Sequence, residues 1–170
     1  MIQLARYFLL ALALASSACT SFDRAWAISS PARLRPVGGP LGLPPQTFPQ
    51  SPFDGRWVGH WTSEQHRGLS GDPESGELRL VLNKHDAYKY RAFFRANWLI
   101  FRGDYQVMLD VKQRGNTLYL HGQEMVSPIF GGTYHYDGTV TRDRFAMRYD
   151  SGYDSGTIEL RRWGVWAAPR

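Results

Sequence analysis

From residue 55 to residue 162 the chain alternates apolar and polar positions with a period of two, segment after segment. That period marks a strand with one buried face. Eight such segments are predicted, over 56–62, 77–83, 88–101, 105–112, 117–123, 133–141, 144–149 and 157–162. The second presents Leu78, Leu80 and Leu82 on one face, and the third Tyr90, Ala92, Phe94, Ala96 and Trp98. The fourth offers Tyr105, Val107, Leu109 and Val111, and the fifth Leu118 and Leu120. Tyr134, Tyr136 and Val140, then Phe145, Met147 and Tyr149, then Ile158 and Leu160 complete the pattern. The breaks at 102–104, 114–116, 142–143 and 151–156 are rich in Gly, Asp, Asn and Ser, and short enough to join antiparallel neighbours directly. Longer connections are expected over 63–76 and 127–132. No helical period interrupts the series. Strands with one apolar face each can hide it only by closing on themselves or pairing as two sheets. The expected fold is all-β: an eight-stranded antiparallel up-and-down barrel occupying residues 53–170.

Ahead of the barrel the pattern changes twice. Arg6 followed by an apolar run from Tyr7 to Ala15, then Ser16, Ser17 and Ala18, reads as a signal peptide over residues 1–18. The run is too short to span a bilayer, which takes about 20 residues. Ser17-Ala18-Cys19 after that run resembles a bacterial lipobox, departing from it at Ser16, where the pattern prefers leucine. Cleavage before Cys19 and lipidation of its thiol would anchor the chain at a membrane. The competing site follows Ala27, since Ala25-Trp26-Ala27 fits the small-x-small rule, and leaves a soluble periplasmic or secreted protein starting at Ile28. The single cysteine favours Cys19, because an odd Cys in an exported protein calls for an explanation. Residues 19–52 read as a Pro/Gly-rich tether, with seven of the ten prolines between Pro31 and Pro52, expected to hold the barrel clear of the membrane. The expected address is the bacterial cell envelope.

Charge narrows the partners. The whole chain is +5, but residues 53–170 carry 16 Lys+Arg against 14 Asp+Glu, a difference of +2. Arg79, Lys89, Arg91, Arg95, Lys112, Arg144 and Arg148 alternate with apolar neighbours, which fits a solvated outer face better than a phosphate-tracking stripe. Nucleic acid is not expected as a partner.

The opening Gly55-Arg56-Trp57 resembles the Gly-x-Trp motif that begins the first strand of the calycins, the lipocalins and avidins. In lipocalins that Trp packs against an Arg at the end of the last strand and plugs the barrel. The resemblance implies the same pairing here. Parity assigns it to Arg162 rather than Arg161, because Ile158 and Leu160 face inward. The barrel is nearer avidin than lipocalin in size. The stretches 53–63, 131–138 and 154–160 also resemble exported or lipid-anchored bacterial barrels that bring no known activity with them.

The inward set is crowded with rings: Trp57, Trp61, Tyr90, Phe94, Trp98, Tyr105, Tyr134, Tyr136, Phe145 and Tyr149. An eight-stranded barrel has room for side chains that fill it or for one small ligand. Two functions follow. One is a non-enzymatic barrel binding a small apolar or amphipathic molecule, lined by Trp61, Tyr90, Phe94, Tyr105, Tyr134 and Tyr136, with 127–132 at its rim. The other is an envelope structural or interaction module with a packed core, its protein partner unknown. No catalytic residue, metal site or cofactor is expected. His60, His121 and His135 fall on outward faces, His66 and His85 fall in loops, and none has ligand spacing to another. Neither a Gly-x-Ser-x-Gly elbow nor a phosphate loop occurs. Asp150 and Asp154 read as turn formers rather than a carboxylate pair.

Overall fold

The computed structural model describes residues 22–29, 51–68, 70–98, 101–127 and 132–163. Its eight strands are β1 (Gly55–Arg67), β2 (Pro73–Lys84), β3 (Lys89–Trp98), β4 (Phe101–Arg114), β5 (Thr117–Ser127), β6 (Gly132–Val140), β7 (Arg144–Asp150) and β8 (Ser155–Arg162). Each pairs antiparallel with its neighbour in sequence, and β1 pairs with β8 to close the barrel. The expected fold class is what the chain adopts. Parity holds throughout: Leu78, Leu80, Leu82, Ala92, Phe94, Val107, Leu109, Leu118, Phe145, Ile158 and Leu160 are all buried inside. The outer wall carries charges in register. Lys89, Asp110, His121, Asp137 and Arg148 stand opposite one another across β3 to β7. A barrel that spans a bilayer carries the reverse, an apolar band outside.

The break expected at 102–104 is strand: β3 ends at Trp98 and β4 begins at Phe101, so Arg102, Gly103 and Asp104 pair with Asn97, Ala96 and Arg95. The connection expected over 63–76 is mostly strand, because β1 continues to Arg67 and β2 begins at Pro73, with a register shift between Thr62 and Arg67. These residues stand beyond the packed interior, so both of their faces are polar and no period is written into them.

One end of the barrel is plugged. Trp57 is fully buried, and the Arg162 guanidinium lies over its ring at 4.4 Å from the centroid. That guanidinium also donates to the carbonyls of Arg142 (2.6 Å), Asp54 (2.7 Å) and Pro52 (2.5 Å), tying the β6–β7 turn and the 51–54 segment to one cation. The Asp54 carboxylate accepts from the Lys84 amide at 2.7 Å and the Ser51 amide at 3.1 Å, folding residues 51–54 across the end with Phe53 inserted into the core.

A helix, α1, occupies residues 22–28 and docks on the outside of the barrel. Phe22 and Trp26, four apart, share one helix face and stack at 5.6 Å. Beneath them lies Val81, which points outward in register with Arg56 and Phe93, yet is completely buried. Cations frame this second apolar cluster. Arg95 sits 4.2 Å from the Phe22 ring, bonds Asp23 at 2.6 Å and grips Asp104 through two bonds of 2.7 Å. Arg56 donates to the Trp26 carbonyl and lies 4.8 Å from its ring. Bonding from Arg95 holds the Asp23 carboxyl below its ordinary value. Residues 1–21 and 30–50 lie outside the described residues. With α1 seated on the wall, the proline-rich stretch links two docked parts of one chain and does not set how far residue 19 stands from the barrel.

Arg162→Ala should lower unfolding free energy by roughly 1–3 kcal/mol in denaturant titration, because it removes the ring contact and leaves three carbonyls without their donor. Phe22→Ala should release α1 without opening the barrel. Limited proteolysis would then cut near residues 22–50 while a resistant fragment of 51–163 persists.

Candidate functional site

Inside the barrel the rings form one continuous column. Trp57 meets Phe145 at 6.2 Å, Phe145 meets Phe94 at 6.5 Å, and Phe94 stacks on Tyr105 at 5.0 Å and on Tyr136 at 6.3 Å. Tyr134 follows at 6.3 Å from Tyr136, with Tyr149 at 6.0 Å from Tyr134. Period-two alternation puts these rings on the inner face, and antiparallel register brings Phe94 beside Tyr105 and Tyr136 beside Tyr149.

The six lining residues expected from the sequence do not share one chamber. Tyr90 sits at the plugged end, where its hydroxyl donates to Ser51 Oγ. Phe94, Tyr105 and Tyr136 occupy the middle. Trp61 and Tyr134 stand toward the opposite end, and Trp61 Nε1 donates to the Asn97 carbonyl at 3.2 Å. Gly76 makes that tilt of the indole feasible, since a Cβ there would strike both Trp61 Nε1 and the Asn97 carbonyl. Trp61, Tyr105 and Tyr134 are only partly buried, so solvent approaches the ring column from this open end. The Trp98 side chain, residues 128–131 of the expected rim and Cys19 lie outside the described residues.

At the open end a polar cluster gathers around Asp154. Ser63, 1% exposed, donates to Asp154 Oδ1 at 2.6 Å, and the Tyr149 hydroxyl donates to Oδ2 at 2.9 Å. The Gln65 and His66 amides donate to Ser63 Oγ at 3.2 and 2.8 Å. His66 leans on Tyr153, with ring centroids 5.0 Å apart, and its Nε2 is 4.0 Å from Asp154. Serine, histidine and aspartate meet here, but not in catalytic order. The serine gives its proton to the carboxylate, no imidazole nitrogen takes it, and its oxygen is closed off by two amides. What the cluster does is pin the end of β1 to the β7–β8 turn. The turn-former reading of Asp154 missed this hub, because a residue 91 positions from Ser63 gives no local signal.

Burial pushes the hydroxyls of Tyr105, Tyr134, Tyr136 and Tyr149 above the ordinary phenol range. For Tyr149 the Asp154 carboxylate adds to the shift, and for Tyr136 the neighbouring Tyr105 does. On the outer wall, an open groove of about 550 Å³ runs over β4 to β6 past Asp110, Lys112, Tyr119, His121 and Asp137. His121 and Asp137 already pair within it at 2.8 Å. Among the described residues, no group of three or more His, Cys, Asp or Glu could hold a metal ion.

Fold and interior together define a small closed barrel, plugged at one end and lined by stacked rings. Comparison with family models, curated proteins and solved structures returns no match to this chain.

The raised tyrosine values favour neutral phenols in the folded state. Their stabilisation is therefore complete below the ordinary value of about 10 and is lost as pH rises through the folded values. Alkaline titration followed by phenolate absorbance should show Tyr105, Tyr136 and Tyr149 ionising only together with loss of near-ultraviolet circular dichroism. Their ionisation in a chain that stays folded would contradict this.

Proposed function

We propose that this chain is a non-enzymatic, calycin-like barrel of the bacterial cell envelope, acting as an interaction module through its outer surfaces. The observation that carries the reading is the column of six successive rings from Trp57 to Tyr149, with contacts of 6.0–6.5 Å and Tyr105 stacked against its middle. Consecutive rings at these distances are in contact, which favours a packed interior over a ligand site of ordinary size, one of about 300 Å³. A second reading keeps the small apolar or amphipathic ligand but confines it to the open end. It is favoured by the half-buried Trp61 and Tyr134, which present aromatic faces there.

Processing before Cys19 also gains support over processing after Ala27. The later cut would remove Phe22, Asp23 and Trp26, uncovering Val81 and leaving Arg95 with one carboxylate instead of two. Cys19 precedes the docked Phe22 by three residues, a backbone reach of at most about 11 Å between their Cα atoms, which would keep a lipidated thiol near the barrel. The barrel would then sit at the membrane, not at a distance from it.

Two measurements check these readings. Native mass spectrometry of the protein from its own host should show the processed, lipidated polypeptide with no further small molecule bound. A reproducible small molecule, displaced by Tyr134→Ala, would move the assignment to the ligand reading. Metabolic labelling with a radiolabelled fatty acid should mark the wild type and not Cys19→Ala; equal labelling of both rules out the anchor.

A further inference from the structure

Read along the sequence, the cations of the barrel look dispersed; strand register gathers them. The hairpins at the plugged end, together with the end of β8, carry Lys84, Lys89, Lys112, Arg114, Arg142, Arg144 and Arg161 against Asp86, Asp110, Asp143 and Glu159, with Lys89 paired to Asp110 and Arg144 to Glu159. Of these, Lys84, Lys112, Arg142 and Arg161 make no ion pair among the described residues. At the open end the balance reverses, with Glu64, Asp72, Glu74, Asp150 and Asp154 against Arg67, Arg102 and Arg148. A barrel of small net charge thus has one basic and one acidic end.

The basic end also carries exposed rings. Tyr88 is 75% exposed at the tip of the β2–β3 hairpin, and Trp163 is 52% exposed where β8 leaves the barrel. Tyr119 lies under Arg114 at 5.6 Å. Trp163 is fixed in place, its amide bonded to the Arg56 carbonyl at 2.8 Å and its ring 6.4 Å from Trp26. Cations meet lipid phosphates, while Trp and Tyr favour the headgroup boundary, where an apolar ring and a polar edge are both satisfied. The open end has exposed Tyr153 and Met125 as well, but in acidic surroundings that an anionic surface repels.

We propose that the plugged end is a docking face for an anionic lipid surface, with the free cations contacting headgroups and Tyr88 and Trp163 entering the interface. This contact is independent of the Cys19 anchor. An anchor binds neutral and anionic bilayers alike; this face distinguishes them.

The test is flotation of the full-length protein with vesicles of phosphatidylcholine alone, or of phosphatidylcholine and phosphatidylglycerol in equal parts. Wild type should prefer the anionic vesicles, with the preference weakening as salt rises. The combined variant Lys84→Gln, Lys112→Gln, Arg142→Gln, Arg161→Gln should lose that preference, each change contributing roughly fivefold. Single variants serve if the combined one does not fold. Arg67→Gln, at the open end, should behave as wild type. Brominated lipids should quench fluorescence in wild type more than in Trp163→Phe. Equal partition onto both vesicle types, or an unchanged preference in the Lys84 and Lys112 variants, would overturn the proposal. So would retention on a soluble anionic polymer without any preference for anionic vesicles, which would point to a wall polymer instead. Binding to neutral vesicles that disappears in Cys19→Ala would report on the anchor alone.

Discussion

The contact between Arg162 and Trp57 is the point on which the molecule turns. Closure brings the last strand beside the first, and at that seam a single guanidinium covers the indole face and binds three carbonyls from two separate parts of the chain. Burial disfavours the charge on Arg162, and the indole N–H of Trp57 is buried without a hydrogen-bond partner among the described residues. Those costs are offset by the carbonyls that the cation satisfies and by the apolar column above. Because the end is shut there, residues 51–54 can fold across it, and the interior behind it can be packed dry.

Packing inside follows from strand number. Eight strands fix a narrow lumen, and side chains must either fill it or leave a void. This chain lines it with stacked and tilted rings. Polar groups gather at the open end, where Asp154, Ser63 and the Tyr149 hydroxyl satisfy one another. Outside, charge and exposed aromatic rings are unevenly distributed between the two ends, and the proposed recognition by the outer surfaces draws on that asymmetry.

Much of this was legible in the sequence because closure and parity are written as a local period. Trp57, Phe94, Tyr136 and Leu160 each declare their face through neighbours two residues away, and the same count chose Arg162 over Arg161 for a pairing that only the resemblance of Gly55-Arg56-Trp57 to the calycin motif had implied. Other features were not legible, for identifiable reasons. Residues 63–67 and 73–76 are strand by pairing alone, with no buried face to impose a pattern. The helix at 22–28 offers two apolar residues, Phe22 and Trp26, beside a leader that obscures them, and Val81 reads as an ordinary member of a leucine-rich strand. The segregation of charge depends on which hairpins share an end, a property of register that no scan of single strands contains. Tyr90 illustrates the same limit: parity placed it inside correctly, but its height along the barrel axis depends on shear.

The seam has a consequence for timing. β1 cannot complete its pairing until β8 exists, and the two partners Trp57 and Arg162 are separated by nearly the whole barrel sequence. Seven strands can form local hairpins as they appear, but the lumen stays open to water until the last one arrives. Closure therefore waits for the end of the chain however fast the hairpins form, because its seam joins the first strand to the last. The barrel can shut its interior only in a single late step.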